Sequence, residues 1–317
     1  MKYIFISLII GLELFCCVVI LLFILKGKNI FHNNTSFSVI PRAGISSTAS
    51  ANLKYFYEPK QGQIDVINGA KITYLINSDT LNERFDYTVD KADEVYRIIT
   101  LGDSITFGLK VNTRDNWTEK LEDKLNGKCD SGKRFEVINL GVQGYDSAYA
   151  VERYKRRGEK YSPDLVIWYQ FDLLRWVEEQ QKVLSKYNDI KSKIDSLDSE
   201  VAQKILYDLL QQAARSTYYK YGEKNLLEYQ RDEIASLRNY YKGKLLLVAY
   251  PEMKSSFKKY LDQSFGRQKD TFLFLNTNNY VAKRQLMDDV HPNPLGHETI
   301  AEDLFGYLNE NKLVPCK

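Results

Sequence analysis

The sequence is poor in cysteine and histidine, the two residue types that form most protein zinc sites. Its 317 residues include only four cysteines and three histidines. Neither set has the C-x-x-C or H-x-x-x-H spacing that is typical of a zinc site, so a site with several ligands would have to consist mostly of carboxylates. We therefore predict no metal centre in this protein.

An excess of charge of one sign is also absent. The 44 Lys and Arg residues nearly balance the 41 Asp and Glu residues, which leaves a formal net charge of +3 at pH 7. This balance argues against a protein that binds nucleic acid. A hydrophobic content of 44%, with 13% aromatic residues, can form a substantial core and excludes a wholly disordered chain.

One long hydrophobic run is present, at the N-terminus. Residues 3–25 are apolar except for Glu13, and as a helix they would be about 34 Å long, enough to cross the core of a bilayer. We predict a transmembrane anchor at residues 1–28. A cleavable signal peptide is the alternative, but no small-x-small cleavage site follows the run. The flanking lysines do not decide the orientation, and both interpretations favour an extracytoplasmic C-terminal domain.

The four cysteines fall into two pairs. Cys16 and Cys17 lie within the hydrophobic run, where packing and acylation both remain open. Cys129 and Cys316 are the only cysteines in the rest of the chain, and an oxidising exterior would permit them to form a disulfide. The sequence does not say whether they lie within bonding distance.

The rest of the chain divides into a linker, an extension and one large domain. Residues 29–52 are predicted as a linker and residues 53–93 as a small β-leaning extension, with a hairpin turn at Asn68-Gly69. Over residues 94–317, short apolar runs alternate with amphipathic stretches, which predicts a parallel sheet with crossover helices in an α/β fold of three α/β/α layers. The five predicted strands are residues 96–101, 135–140, 165–169, 245–250 and 272–275.

A long helical insertion interrupts this domain at residues 173–243. Apolar residues from Val183 to Val201 follow alternating steps of four and three, which is heptad spacing, and Leu227 to Tyr241 repeat a similar spacing. Tyr221-Gly222 could mark a break between helices. The insertion is expected to form a helical hairpin on the sheet, a lid over the site, or a coiled coil that contacts a second copy or another protein.

Candidate catalytic side chains follow the predicted strands. Ser104 lies at the carboxyl end of the first strand, just before a helix, which is the edge where ligands bind in open parallel sheets. Asp288 precedes His291 by three residues on a predicted loop, so its carboxylate could accept the ring N–H and leave the other nitrogen free as a general base for the serine. His297 is expected to pack or cap locally. After the second strand, Gly144 could bring a backbone N–H to the substrate as an oxyanion donor.

Three segments carry a resemblance to a known family: Gly102-Asp103-Ser104, Asn139 to Ser147, and Asp288-Asp289-Val290-His291. In this order they resemble the SGNH (GDSL) hydrolase family, whose members include esterases, lipases, thioesterases and carbohydrate deacetylases. The resemblance covers about residues 96–308 and implies a flavodoxin-like fold with a five-stranded parallel sheet. It implies Ser104 as nucleophile, His291 as base and Asp288 as orienting carboxylate, with the Ser104 and Gly144 N–H groups in the oxyanion hole. The segment Ile76-Asn77-Ser78-Asp79, with Arg84, is similar to the lead-in of membrane-anchored bacterial members that are often encoded with surface-polysaccharide enzymes.

The chain departs from the family pattern after the third strand. The family places Gly-x-Asn-Asp there, and the asparagine side chain supplies an oxyanion donor, whereas this chain has Gln170-Phe171-Asp172. Either Gln170 supplies the same amide one methylene further out, or activity is weakened. Loss of one such donor typically slows the reaction by about 100- to 1,000-fold.

Taken together, the sequence predicts a single-pass, extracytoplasmic serine esterase or acyltransferase that needs no cofactor. Its predicted substrate is an acylated small molecule or, most plausibly, an acetylated cell-surface glycan. A catalytically weakened binding or assembly protein at the membrane surface is the alternative, and a lipid esterase is a third possibility.

Overall fold

We describe the chain from a computed structural model. It describes residues 45–48, 50, 52–68, 70–170, 174–186, 200–251, 255–265, 272–276, 280–288 and 290–316. The predicted anchor at residues 1–28 and most of the predicted linker lie outside this set. Among the residues that are described, no helix combines the length and the hydrophobicity needed to cross a bilayer.

The described elements alternate between strands and helices from β5 onward. The strands are β1 (Ile45–Ser47), β2 (Tyr57–Pro59), β3 (Gly62–Asn68), β4 (Ala70–Ile76), β5 (Val95–Leu101), β6 (Arg134–Asn139), β7 (Leu165–Gln170), β8 (Lys244–Ala249) and β9 (Phe272–Asn276). The helices are α1 (Ser104–Phe107), α2 (Trp117–Lys128), α3 (Ser147–Arg153), α4 (Val177–Ser185), α5 (Glu200–Ser236), α6 (Ser255–Phe265) and α7 (Pro294–Glu310).

The five strands β5 to β9 form one parallel sheet in the order β6-β5-β7-β8-β9, which is the flavodoxin-like order. The chain moves outward from β5 to β6, then returns across β5 to β7. Because such crossovers are right-handed, the helices of these two connections lie on opposite faces of the sheet. The helix contacts agree, since α2 packs with α7 and α3 packs with α5. The prediction of an α/β fold built on a parallel sheet is confirmed.

The strands are apolar because the sheet is covered on both faces. Every residue of β7 is buried, and the main core cluster combines Ile98 and Ile99 of β5 with Val166 and Ile167 of β7. A strand buried on both faces has an uninterrupted apolar run instead of an alternating pattern. For this reason the five predicted strands match the observed ones to within one residue at most ends.

The residues before the sheet pack against the α/β domain. The predicted hairpin forms, with β3 and β4 antiparallel around Asn68 and Ala70. Part of the predicted linker belongs to a small sheet, because β1 pairs antiparallel with β2. Phe56 shares a buried cluster with Tyr149 of α3, and Tyr74 of β4 shares another with Phe107 of α1.

The helical insertion contains α4 and α5, and residues 187–199 lie outside the described set. Gly222 has φ 75° and ψ 161°, which breaks α5 where the sequence predicts a break. Beyond this point Ile234 is fully buried in the main core. The Tyr221 hydroxyl donates to Glu179 Oε2 at 2.6 Å and links the two helices. The described part of the insertion therefore forms a helical hairpin on the sheet; the lid and the coiled coil stay predictions.

A disulfide joins Cys129 and Cys316, the pairing that the sequence left open. Cys129 directly follows α2, and Cys316 lies near the C-terminus after α7. The bond ties together the two helices that cover one face of the sheet. Disulfides of this kind persist in oxidising compartments.

Candidate active site

Ser104 begins α1 at the carboxyl end of β5. Asp103 caps this helix, because its carboxylate accepts the backbone N–H of Ile105 at 3.1 Å. Gly102 has φ 155°, and a Cβ atom there would lie 2.2 Å from Oγ1 of Thr106. Only glycine fits this turn, which puts the serine at the sheet edge next to a helix N-terminus. Such an N-terminus favours negative charge near the Ser104 backbone N–H.

His291 connects Ser104 to Asp288. Its Nε2 lies 2.9 Å from Ser104 Oγ, and its Nδ1 lies 2.8 Å from Asp288 Oδ2. An ionised carboxylate can only accept hydrogen bonds, so Nδ1 must carry the ring proton. In the neutral ring, Nε2 is then an acceptor for the serine hydroxyl. This tautomer is the one that a general base for Ser104 requires.

The Asp288 carboxylate accepts four hydrogen bonds. Oδ1 accepts the backbone N–H groups of Val290 at 2.8 Å and His291 at 2.6 Å. Oδ2 accepts His291 Nδ1 and also lies 2.7 Å from the ammonium of Lys110. Burial acts to raise the pKa of Asp288, but the hydrogen bonds and charge of His291 and the Lys110 ammonium outweigh it and hold this pKa well below its usual range. Asp288 is therefore an anion at neutral pH.

The predicted second oxyanion donor, Gly144, lies in a turn after β6. It has φ 80°, and the Tyr57 hydroxyl donates to the carbonyl of Gln143. The Gln143 carbonyl and the Gly144 N–H belong to one planar peptide group and point in opposite directions. Tyr57 thus fixes the direction of the Gly144 N–H from the far side of the peptide. Burial raises the pKa of Tyr57 well above its usual value, so its hydroxyl stays protonated and able to donate.

Gln170 ends β7 beside the nucleophile turn. It is 5% exposed and lines a small cavity together with Gly102, Asp103 and Asp146. Phe171 and Asp172, the residues that follow it, lie outside the described set. The structure therefore puts Gln170 next to the turn that carries Ser104, and its role as an oxyanion donor stays a prediction.

Gln170→Ala tests that prediction. If the Gln170 amide donates to the developing oxyanion, its loss should lower kcat by roughly 100-fold with little change in KM, because the donor acts on charge that appears only during the reaction. Steady-state kinetics on a small acetyl ester would measure both constants. Gln170→Asn is the matched control, since it keeps the amide and should lose less. Unchanged kcat in Gln170→Ala would mean that backbone donors alone form the oxyanion hole.

His297, in the first turn of α7, has a structural role. Its Nδ1 accepts the backbone N–H of Trp117 at 3.1 Å, at the first turn of α2, so it caps a neighbouring helix as well as packing. The ring is fully buried. Burial, helped by the charges of Lys120 and His291, lowers the pKa of His297 to about 3. The expectation that His297 packs is confirmed, but the helix that it caps is 180 residues away in the sequence instead of local.

We expect this buried histidine to make the fold sensitive to acid. The unfolded histidine has a pKa of about 6.5, so between pH 6.5 and 3 the unfolded state binds more protons than the folded state. The stabilisation from the neutral, buried His297 is fully present above pH 6.5 and is lost as the pH falls, by about 2 kcal/mol at pH 5 and up to about 5 kcal/mol at pH 3. Denaturant unfolding from pH 8 to pH 5 would measure it.

His297→Gln is the variant for comparison, because glutamine can accept the Trp117 N–H without titrating. Other buried acids titrate in both proteins, including Glu122 and Asp146, whose pKa values burial raises to about 7 and about 6. Their contributions cancel in the difference between the two proteins. A difference in unfolding free energy that is constant from pH 8 to pH 5 would contradict the expectation.

The structure brings together Ser104, His291 and Asp288, the three residues that the sequence predicts as catalytic. Lys110 and Tyr57, which contact Asp288 and the Gly144 turn, were not identified from the sequence. A lysine shortly after the nucleophile block and a tyrosine in the extension carry no signal by themselves. Among the described residues, no group of three or more His, Cys, Asp or Glu side chains could hold a metal ion.

Comparison with known proteins gives a family match and several remote structural matches. The family model described as GDSL-like Lipase/Acylhydrolase matches residues 98–304. No curated protein matches the chain. A two-domain esterase active on acetylated mannans, crystallised with mannopentaose, is 18% identical with a TM-score of 0.44, over 70% of this chain and 52% of that one. The chain thus spans about half the length of that esterase.

Two further solved structures are similarly remote. A family two carbohydrate esterase from Clostridium thermocellum, in complex with cellohexaose, is 13% identical with a TM-score of 0.40, over 69% of this chain and 65% of that one. A catalytic mutant of an acetylxylan esterase from Geobacillus stearothermophilus is 14% identical with a TM-score of 0.42, over 73% of this chain and 99% of that one.

Proposed function

The chain belongs to the GDSL-like lipase/acylhydrolase family and is a serine hydrolase, and from this premise we propose that it removes or transfers acetyl groups of a cell-surface glycan. The observation that carries the proposal is the hydrogen-bonded series from Ser104 Oγ through His291 to Asp288, at 2.9 and 2.8 Å. We propose that these three residues form the catalytic triad.

The first half of the reaction forms an acyl-enzyme. His291 Nε2 takes the proton of Ser104 Oγ while the oxygen attacks the ester carbonyl carbon, and the resulting oxyanion accepts N–H groups of Ser104 and Gly144. Asp288 stabilises the imidazolium through Nδ1. When the tetrahedral intermediate collapses, the bond to the sugar oxygen breaks and His291 gives its proton to that oxygen.

The second half releases the acyl group. Water, or the hydroxyl of a second sugar, loses its proton to His291 Nε2 while its oxygen attacks the acyl carbon. The bond to Ser104 Oγ then breaks, and the serine recovers the proton from His291. Water yields acetate, and a sugar hydroxyl yields a new ester. No cofactor takes part in either half.

Two features support an extracytoplasmic location and a membrane anchor. The disulfide between Cys129 and Cys316 is typical of proteins in oxidising compartments, and residues 3–25 have the length and hydrophobicity of a membrane span. An enzyme held at the outer surface meets the polymers of that surface first, which favours a glycan substrate. The similarity of residues 76–79 to the lead-in of membrane-anchored family members agrees with this location.

Probe labelling tests the activity and the substrate class. The full-length protein in detergent should react with a fluorophosphonate probe at Ser104, and acetylated glycans should compete with the probe better than their deacetylated forms. Ser104→Ala is the control that should not react. Absence of labelling in the unchanged protein would favour the weakened binding protein, whereas stronger competition by long-chain esters would favour a lipid esterase.

Extraction of membranes tests the anchor. The full chain should stay in the membrane fraction after an alkaline carbonate wash, because a spanning helix is not released by high pH. Release of the full chain into the supernatant would contradict a transmembrane anchor, and loss of the N-terminal residues from the mature protein would favour a cleaved signal peptide.

A further inference from the structure

Lys110 is a buried lysine that the catalytic scheme above does not use. Its side chain is 2% exposed, and its Nζ lies 2.7 Å from Asp288 Oδ2, the oxygen that also accepts His291 Nδ1. A buried ammonium is unfavourable unless it is paired and hydrogen-bonded. Its placement on the carboxylate that faces the histidine therefore points to a role in the site.

The backbone at Lys110 is also unusual. Its φ of 71° is in the left-handed region, which non-glycine residues rarely adopt. The conformation is held by a hydrogen bond of 2.9 Å from the Lys110 N–H to the Tyr74 hydroxyl. Tyr74 belongs to β4 of the extension and is fully buried against Phe107 of α1, with their ring centroids 5.2 Å apart. Backbone strain of this kind is often found at functional sites.

We propose that Lys110 is a positioning residue that fixes the Asp288 carboxylate against His291 and sets the pH range in which His291 is a free base. The proposal rests on the proposed function, since it concerns the same triad. Through Tyr74 and then Lys110, the extension before the sheet supports the catalytic loop.

The electrostatic part of this role follows from the charges around His291. The described residues place Asp288 beside it from its own loop, Lys110 behind Asp288 from the segment after α1, and His297 nearby from α7. Asp288 favours the imidazolium, whereas the positive charge of Lys110 opposes it. Removing that charge should let His291 hold its proton up to a higher pH.

The orienting part of the role follows from hydrogen-bond geometry. Asp288 Oδ1 is fixed by two backbone N–H groups, but Oδ2 has to be held at the position that faces the imidazole. Lys110 donates to Oδ2 in addition to the imidazole itself, so its loss would remove one of the two hydrogen bonds that hold this oxygen. A poorly held carboxylate lowers the fraction of enzyme in which His291 faces Ser104.

Three variants separate charge from hydrogen bonding. Lys110→Gln keeps a donor without the charge, Lys110→Met removes both, and Lys110→Arg keeps the charge. Lys91→Met is the matched control, because Lys91 also pairs with an aspartate, Asp164, at 2.8 Å. Asp164 precedes β7 at the opposite edge of the sheet from Ser104, so this change should leave activity as it is.

The primary measurement is the NMR titration of the histidine rings in the full-length protein, which has only three histidines. The titration midpoint of His291 should move to higher pH by about one unit in Lys110→Gln and Lys110→Met, and should stay in place in Lys110→Arg and Lys91→Met. This readout does not depend on catalysis, so it distinguishes failure of this proposal from failure of the proposed function.

The second measurement is the pH profile of kcat/KM on p-nitrophenyl acetate. Its acid limb should move to higher pH with the NMR midpoint, and the plateau should fall by about 10- to 100-fold in Lys110→Met and by less in Lys110→Gln. If Lys110→Met does not fold, Lys110→Gln decides the question alone. An unmoved midpoint in Lys110→Gln, with lower thermal stability only, would show that Lys110 has a merely structural role and would overturn the proposal.

Discussion

Ser104→Ala and His291→Ala should each lower the turnover of a small acetyl ester by about five to six orders of magnitude, the effect known for serines and histidines that act as a unit. The reason is geometric. Ser104 Oγ and His291 Nε2 lie 2.9 Å apart, so neither can form the acyl-enzyme without the other. The double variant should therefore be little worse than either single variant, because the second change removes nothing that still functions.

The measurement is kcat/KM on p-nitrophenyl acetate, supported by fluorophosphonate labelling. Ser236→Ala and His32→Ala serve as matched controls, since Ser236 is the last residue of α5 and donates to the Glu233 carbonyl of the same helix, and His32 is part of the predicted linker. Both should react like the unchanged protein. If His291→Ala kept activity within tenfold of the unchanged protein, another group would be the base. If the losses of the single variants added in the double variant, Ser104 and His291 would act separately.

The sheet could be predicted because a parallel strand covered on both faces leaves an unmistakable apolar run. The residues of β7 and β8 are examples, since nearly all of them are buried and apolar. The pairing of β1 with β2 could not be predicted, because three residues at the end of a polar segment carry no periodic pattern. The family motifs predicted which side chains would meet at the sheet edge, and the structure brings those side chains together.

The supporting residues could not be predicted, for a physical reason. Lys110 and Tyr57 act through contacts with groups that are far away in the sequence, a carboxylate near the C-terminus and a backbone carbonyl after β6. No local spacing encodes such contacts. The disulfide was undecided for the same reason, because the approach of Cys129 to Cys316 depends on how α2 and α7 pack. Gln170 stays a prediction, since its burial beside the nucleophile turn does not define what its amide binds.

Asp288→Asn should have the second largest effect, a loss of about 10,000-fold in kcat, as expected when the orienting carboxylate of a triad becomes an amide. Asp288 accepts four hydrogen bonds on two oxygens, whereas asparagine has one oxygen and an NH2 group that only donates. If the oxygen keeps the backbone N–H groups of Val290 and His291, the NH2 group faces the imidazole. His291 Nδ1 must then accept, and the ring proton moves to Nε2.

A proton on Nε2 points at Ser104 Oγ and prevents His291 from accepting the serine proton, so the loss comes from the wrong tautomer while the protein remains folded. The NH2 group would also face the Lys110 ammonium, which adds a smaller loss of stability. Rate measurements together with the 15N shifts of the His291 ring would check both points. Asp289→Asn is the matched control; Asp289 lies outside the described residues, and its spacing to His291 predicts only a mild effect. A larger loss in Asp289→Asn than in Asp288→Asn would assign the orienting role to Asp289.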